Sequence, residues 1–338
     1  MKVLKNGIFF LLILFVIAAC KRNPLKVDIS AIQEEVEVVP FGEKLFSLEG
    51  KDTLHAMAEL SNEYPDFFNL FTYRIIRIGG IDDEQFPELI KLFLTDTLIE
   101  EVEASTYKKF SDMRWLEKDL QKEFKYYRFH FPDKELPTIY TYISGFNQSV
   151  VTAEKIVGIS LDKYLGRDCK FYQQLNSTPQ YKVMNMYKER IPSDVAYAWA
   201  ITEFEDSNST KTLLDNMVEK GKMMYLVDAM LPDTPDSLKI GYTKKQLEWC
   251  ENNEPAMWTY LIEQKMLYSS KRMDIIRYIN DAPSTSGFPN ESPGRAGVWI
   301  GWKIVRQYMK KHPEVSVPEL MANKDYQKIL NESEYDPG

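Results

Sequence analysis

Apolar residues recur with a helical period along most of this chain. Leu116, Leu120, Phe124 and Tyr127 are spaced four, four and three apart, which puts them on one face of a helix over 112–129. Comparable runs over 48–60 and 87–95 make residues 46–135 a helical lobe. At Pro137 the period changes. Thr138-Ile139-Tyr140-Thr141-Tyr142-Ile143 is β-branched and aromatic, 144–148 is turn-like and 149–161 is apolar and extended, so two adjacent strands joined as a hairpin are expected. The helical rhythm returns after Pro192. Ser193 or Asp194 can cap a helix through Phe204. Residues 210–231 carry Leu213, Leu214, Met217, Val218, Gly221, Met224 and Tyr225 on one face and stop at Pro232. Thr243 and Gln246 have the spacing of a capping box, and Pro255 opens a further helix to about Tyr268. A thirteen-residue loop over 281–293 precedes the last long helix, 293–311. The pattern predicts an α+β fold, mostly α-helical with a small sheet or hairpin, in a single globular body over 46–338.

An apolar run of another kind opens the sequence. Residues 8–19 are uninterrupted, follow Lys2 and Lys5, and end in Ala18-Ala19-Cys20. A bilayer-spanning helix needs about 20 such residues, so the run is too short and has the layout of a secretory signal instead. A cysteine directly after the small pair resembles a bacterial lipoprotein signal: residues 1–19 are removed, Cys20 is acylated with palmitate-type chains, and 20–45 form a polar tether. Each buried acyl methylene contributes about 0.8 kcal/mol, so two or three chains hold a protein on a membrane without a spanning segment. Lys21-Arg22-Asn23 lacks the acidic cluster of surface-exported lipoproteins, which favours a body facing the periplasm; inner or outer membrane is left open. Cys169 and Cys250 then remain, either as a disulfide or as two unpaired thiols.

Composition narrows the chemistry. With 338 residues, 44% hydrophobic and 27% charged, the chain can bury a large core. Forty-two basic residues against 50 acidic give a net charge of -8, which argues against nucleic acid as a partner. His55, His130 and His312 are far apart, no H-E-x-x-H or G-x-S-x-G string or phosphate loop occurs, and no cofactor or metal is expected. Asp233 and Asp236 are turn residues before they are calcium ligands.

The most distinctive stretch is 287–302. Ser292 can cap a helix starting at Pro293, leaving orphan N–H groups beside Asn290 and Arg295 that suit an anionic group, with Glu291 counted among the groove residues. Gly294, Gly297 and Gly301 then form a bare face, at about 1 kcal/mol each relative to alanine. Something must approach that face closely. A candidate binding groove joins it to Tyr197 and Trp199 of the preceding helical segment and to Lys220; tight packing against a neighbouring helix or strand explains the same spacing.

Several strings carry a family likeness: Leu161-Asp-Lys-Tyr-Leu-Gly166, Asp228-Ala-Met-Leu-Pro-Asp233, Ile240-Gly-Tyr-Thr243, Gln246-Leu-Glu-Trp249 and 287–308. With the lipoprotein signal they resemble the gliding motility lipoprotein GldB family over nearly the whole mature chain. That resemblance implies an envelope lipoprotein with protein partners, a non-catalytic binding or scaffold component linked to gliding or secretion machinery. A more distant similarity, to zinc-dependent proteases of the H-E-x-x-H type, implies a degenerate zincin-like fold, a pseudo-peptidase. In it Tyr197, Ala198 and Ile201 stand where His, Glu and His would be needed, and a third acidic ligand falls near Glu219. Asp52-Thr53-Leu54, Asp96-Thr97-Leu98 and Asp236-Ser237-Leu238 resemble O-glycosylation acceptors of Bacteroidota envelope proteins. Two other functions compete with the scaffold: a peptide or cell-wall hydrolase, whose turnover would depend on Glu291 or Arg295, and a periplasmic solute binder, which would retain a small molecule on purification.

Overall fold

The computed structural model describes residues 23–48, 53–175, 178–206, 208 and 210–338. The signal segment and Cys20 lie outside the described residues. What is described is an α+β body, predominantly helical around a small mixed sheet, and among these residues no helix is long and apolar enough to cross a membrane.

Strand β1 (Val38–Val39) and helix α1 (Phe41–Phe46) come first, so the stretch expected to be a tether joins the body. Val39, Phe41 and Leu45 are buried there. Helices α2 (Thr53–Glu63), α3 (Pro65–Asn69, running on as a π-helical turn), α4 (Phe86–Leu94) and α5 (Thr97–Lys109) follow. Next is α6 (Arg114–His130), whose apolar stripe was grouped by sequence with these helices. It packs on the opposite side of the sheet instead, with the Phe124 ring 6.1 Å from that of Trp199.

The sheet runs β1-β2-β4-β3, with β2 (Thr138–Tyr142), β3 (Val150–Ala153) and β4 (Ile156–Ser160). β2 lies parallel to both β1 and β4, pairing Ile139 with Val157, so the expected hairpin between the first two strands does not form. The hairpin is β3–β4, turning at Lys155 with φ 57. The cause is local. Asp162, just past β4, accepts hydrogen bonds from the backbone N–H of Phe146 (2.6 Å) and Ser144 (3.3 Å), and from the Ser160 hydroxyl. These bonds pin the exit of β2 beside the exit of β4 and push β3 to the outer edge. Alternation across the pleat does the rest: Ile139, Val157 and Ile159 face one core, while Val39, Tyr140, Tyr142 and Ile156 face the other.

The larger core is built from α6, α8 (Ile191–Phe204) and α9 (Leu213–Met230), joined by α13 (Ala296–Lys311) and α15 (Tyr326–Ser333). Short helices α7 (Gln180–Val183), α10 (Asp236–Ile240) and α14 (Val317–Ala322), together with α11 (Lys244–Glu263) and α12 (Arg272–Ile279), complete the chain. α8 begins at Ile191, ahead of the expected caps, with Pro192 in its first turn. Pro255 opens no new helix and lies inside α11, while the Thr243–Gln246 capping box forms as the spacing predicts. α9 is buried on nearly every side rather than along one stripe. It crosses α13 at glycines: a Cβ on Gly301 would come 1.8 Å from the Met217 carbonyl oxygen, and one on Gly221 2.3 Å from the Gly301 carbonyl carbon. Cys169 and Cys250 are both free thiols, and burial pushes the Cys250 thiol pKa up.

Candidate functional site

The residues expected to line one groove are dispersed. Gly294 and Arg295 share a cavity of about 160 Å³ with Asp281, Tyr242 and Gln246, and the other candidates lie outside it. Arg295 adopts a left-handed conformation before α13, donates to the Ile240 carbonyl and pairs with Asp281 at 3.1 Å. Burial works against its charge, but Asp281, Tyr197, Tyr242 and Asp194 outweigh it and hold the guanidinium pKa above its ordinary value. Asn290 and Glu291 are exposed in the loop. Lys220 pairs with Glu205 at 2.6 Å, and Trp199 is sealed in the core with 1% exposure.

The glycine face is filled by protein. Gly294 abuts the backbone of Ala282, Gly297 the carbonyl of Tyr278, and Gly301 that of Met217. Nor does the helix start at Pro293 under a Ser292 cap. It starts at Ala296, whose N–H donates to the buried Thr285 hydroxyl at 3.1 Å, while that hydroxyl donates to the Pro293 carbonyl at 2.7 Å. Thr285 therefore closes the helix end that sequence left open to an anion. Of the positions compared with a zinc site, Tyr197, Ala198 and Ile201 carry no ligand, and Glu219 is buried against Lys222 at 2.9 Å. Among the described residues no group of three His, Cys, Asp or Glu side chains could hold a metal ion.

Two other features stand out, and the sequence reading reached neither. The first is an ion cluster beside a cleft of about 730 Å³. Buried Asp228 near the end of α9 accepts from Lys239 Nζ (2.8 Å), Trp302 Nε1 (2.8 Å) and Arg306 Nε (2.7 Å). Arg306 also bonds Asp236, and its guanidinium lies 3.7 Å from the Trp302 ring centroid. Asp228, Trp302 and Arg306 come from strings that carry the family likeness, at 228–233 and 287–308, while Asp236 and Lys239 lie just outside them. Their charges neutralise each other, which fixes α9, α10 and α13 in register; no nucleophile stands beside a base.

The second is a cavity of about 550 Å³ bounded by Trp115, Lys122, Lys188, Pro192, Met230 and Asp233. Glu123 lines it with 0% exposure, and neither of its carboxylate oxygens has a hydrogen-bond partner. The Ser193 hydroxyl, lining the same cavity, is also unpartnered. Burial, aided by Asp119, raises the Glu123 pKa well above the ordinary carboxylate value. A sequence signal was present: Glu123 falls three residues after Leu120 and four before Tyr127, on the apolar stripe of α6. The pair offers a carboxyl and a hydroxyl to a polar guest in a cavity that Asp119, Lys122, Lys188, Glu189 and Asp233 also line.

A predominantly helical α+β domain that holds paired buried charges, with no cluster of three metal-ligating side chains among the described residues, is the class these observations define. A family model described as gliding motility protein GldB matches residues 22–337, and the chain belongs to that family. No curated protein and no solved structure matches it.

Proposed function

We propose that this chain is a non-catalytic envelope lipoprotein, acylated on Cys20 and facing the periplasm, whose folded body docks on protein partners of a gliding or linked secretion assembly. The observation that carries the reading is the family match over 22–337, which takes in every described residue but Gly338. The lipoprotein-type pattern ending at Cys20 supports the anchor, and the mutual neutralisation of Asp228, Lys239 and Arg306 supports holding rather than reacting. Crosslinking in intact cells, followed by purification of the lipid-bearing protein, is expected to recover envelope proteins of that machinery. Turnover of a peptide or cell-wall fragment library, abolished by Glu291→Gln or Arg295→Met, would overturn it in favour of a hydrolase.

A solute-binding lipoprotein is the second reading, and the unpartnered Glu123 and Ser193 in one cavity favour it. Native mass spectrometry of freshly purified protein separates the two. A small molecule lost from both Glu123→Gln and Ser193→Ala would establish the solute binder.

A further inference from the structure

The chain enters the body at one end of α9. Asn23 donates through its side-chain amide to the Pro232 carbonyl at 2.9 Å, and Lys26 pairs with Asp233 at 2.7 Å. Asp233 is held from its other side by Lys122 at 2.9 Å. The loop just past the C-terminal end of α9 is therefore where the described chain begins. Cys20 precedes Asn23 by three residues, a reach of at most about 11 Å when fully extended. A tether of two dozen residues would leave the body free to tumble above a membrane; three residues do not.

α9 also supplies a ruler. It has 18 residues and so spans about 27 Å. Its N-terminal end is tied to the 267–269 loop, where Leu213 donates to Ser269 and Leu214 to Leu267. Tyr268 in that loop is 62% exposed. The Pro232 loop and the Tyr268 loop thus lie at opposite ends of α9, about 27 Å apart along its axis.

The pole where the chain enters has a surface suited to a lipid interface. The 730 Å³ cleft there is lined by Asn23, Pro24 and Leu25 together with Phe129, Lys310 and Pro313. Phe129 is 45% exposed and Lys310 is also exposed, an aromatic ring and a long cation of the kind that settle at the headgroup level.

We propose that this face, comprising the Pro232 loop, Phe129 and Lys310, rests on the phospholipid interface of the membrane that carries the anchor, with α9 directed away from the bilayer and the Tyr268 loop farthest from it. The proposal rests on acylation of Cys20 and adds to it a fixed orientation. Partners would then be met by the sides and the far pole, while the Pro232 face is committed to lipid.

The test uses full-length acylated protein in phospholipid vesicles, carrying Cys169→Ser so that one introduced cysteine takes a nitroxide label. Labels are placed at Phe129→Cys and, separately, at Tyr268→Cys, both exposed positions where substitution spares the core. At 129 the label is expected to lose most of its accessibility to a water-soluble nickel relaxant and to gain accessibility to oxygen. At 268 it should stay fully open to nickel. Acylated protein with equal nickel accessibility at both sites overturns the orientation alone. Mass spectrometry showing no acyl chain on Cys20 overturns the anchor reading and the orientation with it, so the two failures are told apart.

Discussion

Glu123 is the residue whose environment departs most from what its chemistry asks for. It is fully buried, its oxygens are unpartnered, and its pKa stands well above 4.5. The folded state therefore keeps a proton that the unfolded chain releases above about pH 4.5, and stability must fall as pH rises from there toward the folded-state value. Urea unfolding at a series of pH values should show this decline in the wild type and a flatter profile in Glu123→Gln; parallel profiles would show that the carboxyl is not desolvated. His130 acts in the opposite direction. Burial lowers its pKa from 6.5 to about 4, so its contribution is present above pH 6.5 and is lost as pH falls through that window. Gly301 is a steric case. A methyl group there would overlap the Met217 carbonyl, so Gly301→Ala should destabilise by about 3 kcal/mol or more, read as a lowered denaturation midpoint.

At the scale of elements, local signals and long-range contacts divide the work. The Thr243–Gln246 box was legible because both partners lie within one turn, and Thr243→Ala should cost about 1 kcal/mol in thermal unfolding. Strand identity was legible from β-branched and aromatic residues, but strand pairing was not. Asp162 decides the pairing through backbone groups sixteen and more residues upstream, a relation no local pattern encodes. The start of α13 failed for the same reason. Ser292 and Pro293 look like a helix start, yet Thr285 reaches across the loop to cap Ala296. Arg295, chosen for the groove, binds the Ile240 carbonyl and Asp281 instead of an open anion site.

For the whole molecule, the sheet is a partition with a core on each face, and β1 with α1 belongs to it. A protein begun at residue 47, after the expected tether, would lack Val39, Phe41 and Leu45. Each buried apolar side chain of this kind contributes about 1.5–3 kcal/mol, so the loss is comparable with the roughly 5–15 kcal/mol that holds a domain together. Such a truncation is expected to give insoluble protein or a product without near-ultraviolet circular dichroism; a soluble, cooperatively unfolding product would refute the two-sided core.

The sequence by itself determined the class, a mostly helical α+β chain of the GldB family, and its layout up to Cys20 is what the proposed anchor rests on. These are readable because helical period, capping spacing and signal layout are properties of neighbouring residues. Only the tertiary structure decided that the face of Gly294, Gly297 and Gly301 is filled by Ala282, Tyr278 and Met217, that Glu123 and Ser193 share a cavity, and that Asn23 is fastened beside Pro232. Each of these depends on which side chains from distant segments meet, and burial and hydrogen bonding between such segments are set by the packed whole.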